Sequence, residues 1–140
     1  MTHRVLVDIN VLLDVLARRE PHYAASAAIW AAAETHAIQG LVSANSITTL
    51  YYLLRKASNH ATALRGIRLV GAVFVIVPVD ATLIEKALNS PLGDFEDAVQ
   101  YENALRAKAT AIVTRDVRHF KDSSIPVLPP NTFLARATLK

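Results

Sequence analysis

The sequence predicts a three-layer α/β/α fold with a central, mostly parallel sheet of about five strands. Short apolar runs alternate with longer segments in which apolar residues recur at helical spacing, and this alternation extends over the whole chain. Hydrophobic residues make up 52% of the 140 residues, enough for a core on both faces of a sheet. Because no repeat or linker interrupts the pattern, we expect residues 1–140 to form one domain.

The first predicted strand covers residues 4–8 and ends at Asp8. The spacing then changes to that of a helix over residues 10–17, with Asn10 as its expected N-cap, and Pro21 lies beyond its end. A strand that runs directly into a helix in this way places its last side chain at the edge where open α/β sheets bind ligands.

The middle of the chain contains the next strand and three helices. An alanine-rich helix is predicted over residues 22–38, and Gly40 ends it. A short strand follows at 41–42, and apolar stripes at helical spacing predict helices over 45–56 and 59–71.

The last part of the chain contains the remaining strands. The unbroken β-branched and aromatic run at 73–77 is typical of a strand buried on both faces. Helices are predicted at 81–89 and 94–109, followed by a strand at 111–113. The chain then continues with a loop at 116–125, a short strand at 127–128 and a terminal helix after Pro130.

Composition narrows the functional classes. There is no cysteine, which excludes disulfides and thiolate metal sites, and no apolar run reaches the length of a membrane span. Asp8 interrupts the first apolar run, so we expect no secretory signal, and the absence of cysteine fits the cytoplasmic location that we expect. The formal net charge of +3 suits an anionic partner without identifying one. The histidines show no metal-ligand spacing and are expected at the surface: His3, His22, His36, His60 and His119.

Four aspartates from distant segments are expected at one edge of the sheet. Asp8 ends the first strand, Asp94 and Asp97 open a late helix, and Asp116 lies three residues beyond the strand at 111–113. In a parallel α/β sheet the carboxyl ends of strands share one edge with the amino ends of the helices that follow. Asp14, one turn beyond Asn10, is instead expected to be a solvated helix acid.

Two interpretations of this acidic edge are compatible. Asp94 can be an N-cap with Asp97 as a third-position acid, an arrangement that resembles a capping box. The two side chains also face the same way, so they can present oxygens toward Asp8. Because clustered carboxylates repel one another, their collection at one edge suggests a neutralising divalent cation, and all-oxygen ligands favour Mg²⁺ or Mn²⁺.

At this point the sequence resembles the PIN-domain family, the ribonuclease-like family that includes VapC-type toxins of bacterial toxin–antitoxin pairs. The motifs that carry the resemblance occur in family order and cover almost the whole chain. They are Val5-Leu6-Val7-Asp8-Ile9-Asn10-Val11-Leu12-Leu13-Asp14, Asp94-Phe95-Glu96-Asp97-Ala98-Val99-Gln100, Ile112-Val113-Thr114-Arg115-Asp116 and Ile125-Pro126-Val127-Leu128-Pro129-Pro130.

The resemblance implies Mg²⁺- or Mn²⁺-dependent hydrolysis of RNA phosphodiester bonds. It assigns catalytic and metal-binding roles to Asp8, Asp97 and Asp116, with Asp94 as a further candidate metal ligand. The residues that it implies for substrate contact are Asn10, Thr49, Thr114 and Arg115. Thr49 occupies the position where the family usually has a second acid, a glutamate. A homodimer and a cognate antitoxin are the protein partners that the resemblance implies.

Three other functions remain open at this point. A PIN module with Thr49 in place of the glutamate could bind RNA or a partner protein without cleavage. A haloacid-dehalogenase-type phosphotransferase also begins with an acid after its first strand, but it needs a second acid where Asn10 stands. A phospho-receiver domain needs a phosphoacceptor after a middle strand, and the sequence Val77-Pro78-Val79-Asp80 is a poor match.

Overall fold

A computed structural model describes residues 3–137, and its centre is a sheet of five parallel strands. The strands are β1 (His3–Val7), β2 (Ile38–Ser43), β3 (Val75–Val77), β4 (Ala111–Val113) and β5 (Val127–Leu128). Their order across the sheet is β3-β2-β1-β4-β5, which places β1 in the middle. The predicted fold class is therefore confirmed.

Helices connect the strands and cover both faces of the sheet. They are α1 (Ile9–Leu16), α2 (Tyr23–Glu34), α3 (Ala44–Ala57), α4 (His60–Val73), α5 (Ala81–Leu88), α6 (Phe95–Arg106) and α7 (Pro130–Ala137). A 3₁₀ turn, Val117–Phe120, lies within the segment expected to be a loop. No helix in the described range 3–137 has the length and apolar character needed to cross a membrane.

Alternate side chains of β1 build two separate cores. Val5 and Val7 belong to one hydrophobic cluster, while Leu6 belongs to the other, together with Ile112 and Phe120. All three β1 residues are completely buried. A strand buried on both faces reads as a continuous apolar run, which explains why the sequence shows one before Asp8.

Three expectations about strands and helix ends were wrong. The alanine-rich helix was expected over residues 22–38 with Gly40 ending it, but α2 ends at Glu34, the chain turns at His36 with a positive φ of 64°, and β2 already begins at Ile38. The run at 73–77 was expected to be a strand buried on both faces, but β3 begins at Val75 and lies at the edge of the sheet, with Val75 46% and Ile76 41% exposed. The expected N-cap of α1 was Asn10, but the cap is Asp8, whose side chain accepts a hydrogen bond from the amide of Ile9. The helix begins earlier because the aspartate itself supplies the capping oxygen.

The register of the sheet brings the carboxyl ends of the central strands together. Val7 lies opposite Val113, and the amide of Asp8 continues the ladder by donating to the carbonyl of Val113 at 3.0 Å. On the other side, Ser43 ends β2 and caps α3. The residues that follow β1, β2 and β4 therefore share one edge, as the parallel topology predicts.

Candidate active site

Asp8 lies at the centre of this edge and is almost fully enclosed, with 8% of its surface exposed. One carboxylate oxygen, Oδ1, accepts hydrogen bonds from the Ile9 amide at 2.7 Å and from Gln100 Nε2 at 3.0 Å. The other, Oδ2, accepts from Thr114 Oγ1 at 2.7 Å and lies 3.3 Å from Asn10 Nδ2. Four donors from three chain segments therefore hold one carboxylate in a fixed orientation.

Asn10 connects the segment after β1 to the segment after β4. Its Nδ2 lies 3.2 Å from both Thr114 Oγ1 and Asp116 Oδ2, and its Oδ1 accepts from the amide of Arg115 at 3.3 Å. The amide of Asp116 in turn donates to Thr114 Oγ1 at 3.0 Å. The structure thus brings Asp8, Asn10, Thr114 and Asp116 into one hydrogen-bonded group, as expected from the motifs.

The acids at the start of α6 lie beside this group. Asp94 caps the helix by accepting from the amide of Asp97 at 3.0 Å, so the capping interpretation holds. Burial, followed by the charges of Asp94 and Asp8, raises the pKa of Asp97 to about 6. His119 lowers this pKa and Glu96 raises it further. Burial, Asp94 and Asp8 also raise the pKa of Glu96. Burial, together with repulsion from neighbouring carboxylates, therefore makes Asp97 and Glu96 harder to ionise than ordinary acids.

Most of the predicted site residues surround one open cavity of about 410 Å³. Its lining includes the predicted residues Asp8, Asn10, Thr49, Asp97, Arg115 and Asp116. Thr114 is completely buried and acts through Asp8 and Asp116. Asp94 instead lines the neighbouring cavity of about 280 Å³, which shares Asp97 and His119 with the first.

Four functional candidates were missed or misjudged from sequence. Glu96 and Gln100 line the cavity, and Gln100 is 1% exposed with its Oε1 lacking a hydrogen-bond partner. Gln100 lies three residues after Asp97 on α6, so helical spacing could have identified it, whereas Glu96, one residue before Asp97, has no such signal. His119 is indeed at the surface, with its side chain 60% exposed, but its Nδ1 lies 3.5 Å from Asp97 Oδ2.

Asp14 was expected to be solvated, and this was wrong because its side chain is completely buried. Arg115 donates two hydrogen bonds to the Asp14 carboxylate, from Nε at 2.8 Å and from Nη2 at 3.1 Å. The Nε of Arg19 lies 3.1 Å from the same carboxylate, and Ser26 Oγ donates to it at 2.9 Å. A charged residue is buried in a helix only when it is paired in this way.

The donor set suits a hard divalent cation in type and charge. Asp97, Glu96 and Asp116 offer carboxylate oxygens to the cavity, their mutual repulsion would be relieved by a cation, and the buried Oε1 of Gln100 lacks a partner. The coordination geometry is not preformed, however. Within residues 3–137, no group of three or more His, Cys, Asp or Glu side chains is arranged to hold a metal ion. Protein donors already occupy both oxygens of Asp8.

The sequence and the fold match those of a known family. A family model for the PIN domain matches residues 4–118, and the chain therefore belongs to the PIN-domain family. Ribonuclease VapC1 of Aquifex aeolicus (strain VF5) is 29% identical over 140 residues, covering 96% of each chain.

Solved structures of low sequence identity share the fold. A toxin–antitoxin complex from Klebsiella pneumoniae gives a TM-score of 0.67 at 18% identity and covers 90% of this chain and 97% of that chain. The structure of Mycobacterium tuberculosis VapC20, a sarcin-ricin loop cleaving toxin, gives a TM-score of 0.65 at 16% identity, and the match covers 77% of this chain and 86% of that chain. Both confirm the three-layer architecture.

Proposed function

We propose that this chain is a divalent-metal-dependent ribonuclease that hydrolyses RNA phosphodiester bonds and acts as the toxin of a toxin–antitoxin pair. The observation that carries the proposal is the cavity around which the chain gathers Asp8, Asp97 and Asp116 from three distant segments. Membership in the PIN-domain family and the relative named ribonuclease VapC1 support the same activity.

Asp8, Asp97 and Asp116 would hold Mg²⁺ or Mn²⁺. Asp94, which lines the adjacent cavity, is a further candidate ligand. When bound, such an ion supplies an activated water and neutralises the charge that develops on phosphate oxygens. Thr114 and Asn10 fix the carboxylate of Asp8, so that Asp8 need not reorganise during the reaction. Asn10 carries no acid function, which makes the carboxylate of Asp8 better suited to bind a cation than to form a covalent phosphoaspartate.

Two amides determine access to Asp8. The Nδ2 of Asn10 and the Nε2 of Gln100 take lone pairs that a cation would need. Rotation of the Gln100 amide would replace this donor by the Oε1 that now lacks a partner. We therefore propose that cation binding displaces these two amide contacts while the contacts from Ile9 and Thr114 persist.

The partners and setting follow from the same proposal. The substrate is RNA, an antitoxin covers the acidic edge together with Arg19 and Arg115 in the same cavity, and the toxin works as a homodimer in the cytoplasm. The relative from Klebsiella pneumoniae was solved as a toxin–antitoxin complex, which supports the antitoxin.

The second candidate is a PIN module that binds RNA or protein without cleaving. Thr49 favours it, because the cavity has a hydroxyl where the family usually supplies a glutamate. A threonine attracts a hard cation much less than a carboxylate does.

Cleavage of a mixed RNA pool in Mg²⁺, Mn²⁺ or EDTA separates these candidates. The wild type is expected to cleave in either metal and not in EDTA, whereas Asp8→Asn and Asp97→Asn are expected to be inactive. Glu85→Gln, an exposed acid on α5 away from the cavity, serves as the matched control and should cleave like the wild type. Equal cleavage by all four proteins would refute the assignment, and RNA binding without cleavage by the wild type would favour the second candidate.

A further inference from the structure

We infer that Arg19 and Arg115, held by the buried Asp14, form a phosphate-binding pair at one side of the acidic cavity. The pair would receive the phosphodiester group next to the one that is cleaved. This inference rests on the proposed function, because it assigns a substrate contact within the same site. Nothing in the family match or in the relatives' names assigns a role to Asp14 or Arg19.

Asp14 has the geometry of an anchoring residue. Its side chain has no exposed surface, and each carboxylate oxygen accepts two hydrogen bonds. Arg115 binds it through two nitrogens, and Arg19 binds it through Nε. A carboxylate with four donors cannot rotate, so both guanidinium groups keep a fixed orientation.

The two arginines have donors to spare, and these donors are accessible. A guanidinium has five N–H groups, of which Asp14 takes two from Arg115 and one from Arg19, and a further one from Arg19 Nη2 points at the Asn10 carbonyl at 3.5 Å. The Arg19 side chain is 40% exposed and that of Arg115 is 25% exposed. Both line the cavity that contains Asp8 and Asp97.

The cavity lining carries charges of both signs. Two guanidinium groups against one buried carboxylate leave one net positive charge beside the acids. An RNA backbone is repelled by the acids and attracted by the arginines, and the planar guanidinium fork matches the oxygens of a phosphate. Because Asp14 has already oriented the arginines, little conformational entropy is lost when they bind.

A purely structural role explains Arg115 better than it explains Arg19. Arg115 and Ser26 alone give Asp14 three hydrogen bonds, with a donor on each oxygen. The second guanidinium adds a half-exposed cation that this carboxylate does not require. The contact from Arg19 Nη2 to the Asn10 carbonyl is long at 3.5 Å, so an anion that binds at the cavity explains the position of Arg19 better.

The surface also offers a continuous path for a strand. Arg115 also lines a second cavity of about 140 Å³, together with Pro21, His22 and Pro130. A single strand that leaves the acidic cavity would pass over the arginine pair toward these residues.

Fluorescence anisotropy with a labelled single-stranded RNA oligonucleotide tests this inference in EDTA, where cleavage does not occur. Arg19→Gln is expected to weaken binding roughly tenfold, as expected for a lost charge-assisted hydrogen bond. The slope of log K against log salt should fall by about 0.7, the value for one phosphate contact on a single strand. Arg19→Lys should restore the slope and only part of the affinity, because lysine keeps the charge without the fork.

Arg68→Gln is the matched control, since Arg68 is exposed on α4 and lies outside the cavity lining. It should bind RNA like the wild type and with the same salt slope. Thermal unfolding of Arg19→Gln should match the wild type closely, because Arg115 and Ser26 still satisfy Asp14.

The inference is overturned if Arg19→Gln binds RNA with wild-type affinity and salt slope, or if the wild type does not bind RNA in EDTA. Either result leaves the proposed function standing if the wild type still cleaves RNA in Mg²⁺ or Mn²⁺. Binding that depends on Arg19 in a protein that never cleaves would refute the ribonuclease and keep the phosphate site.

Discussion

Replacing Asp97 by asparagine should stabilise the metal-free protein at neutral pH. The pKa of Asp97 is raised from an ordinary 3.8 to about 6, chiefly by burial and then by Asp94 and Asp8. The charged form is therefore disfavoured in the folded protein. Asparagine has the same shape and no charge, so it removes this penalty.

The magnitude follows from the pKa of Asp97. At 1.36 kcal/mol per pH unit, a rise from 3.8 to about 6 corresponds to about 3 kcal/mol. A carboxylate in the first turn of α6 also gains about 0.3–1 kcal/mol from the helix dipole, which asparagine forfeits. The Asp97 side chain is only 13% exposed, so solvent screening reduces the penalty little. We expect a net gain of about 2 kcal/mol in the free energy of unfolding.

The sign depends on pH in a defined way. An acid with a raised pKa binds its proton more tightly in the folded state than in the unfolded state. Below pH 3.8 the carboxyl group is neutral in both states and carries no penalty, and stability is lost progressively as the pH rises from 3.8 through about 6. The difference between Asp97→Asn and the wild type should therefore be near zero in acid and should grow across this interval.

Urea unfolding in EDTA at several pH values measures this difference. Glu85→Gln, exposed on α5, is the control and should change stability by no more than about 0.5 kcal/mol at any pH. An Asp97→Asn protein that is no more stable than the wild type at neutral pH would refute the electrostatic account. A difference that does not vary with pH would refute it equally.

Three further substitutions test separate parts of the structure. Asp14→Asn should lower the free energy of unfolding by about 3 kcal/mol. This is the low end for breaking a buried ion pair, because Arg19 and Arg115 keep partial solvent contact. Urea unfolding that matches the wild type would contradict this. Thr49→Glu should tighten Mn²⁺ binding, which calorimetry measures. It should also lower the free energy of unfolding in EDTA, because it adds a carboxylate to the cavity. An unchanged Mn²⁺ affinity would show that residue 49 does not contact the metal. Gly40→Ala should lower the free energy of unfolding by about 2 kcal/mol, because the new Cβ would lie 2.6 Å from Cε1 of the buried Phe74. Thermal unfolding measures this loss, and a wild-type melting temperature would show that the Phe74 ring can move.

The sequence predicts the order of elements well because most are determined by local patterns. The alternation of apolar runs and helical spacing gives five parallel strands, and the strand at 111–113 matches β4. The β3 region was misjudged for a physical reason. An apolar β-branched run indicates a strand, but the run itself does not reveal whether a neighbouring strand lies on each side.

In the candidate site, too, the sequence predicts what topology determines and does not predict contacts between residues that are distant along the chain. Asp8, Asp97 and Asp116 could be placed at one edge because parallel topology alone brings strand ends together. The burial of Asp14 could not be foreseen, because its partners Arg19 and Arg115 lie 5 and 101 residues away along the chain. The contact between Gln100 and Asp8 spans 92 residues and has no local signal either.

Calorimetric titration of Mn²⁺ into the wild type and Asp8→Asn measures whether Asp8 takes part in metal binding. We propose that the hydrogen-bonded carboxylate of Asp8 opens to a divalent cation that Asp97 and Asp116 share. We expect the wild type to bind one Mn²⁺ per chain with release of protons, since Asp97 is partly protonated near pH 6, and Asp8→Asn to bind at least tenfold more weakly. Equal Mn²⁺ affinities for the two proteins, or no binding by the wild type, would contradict the account.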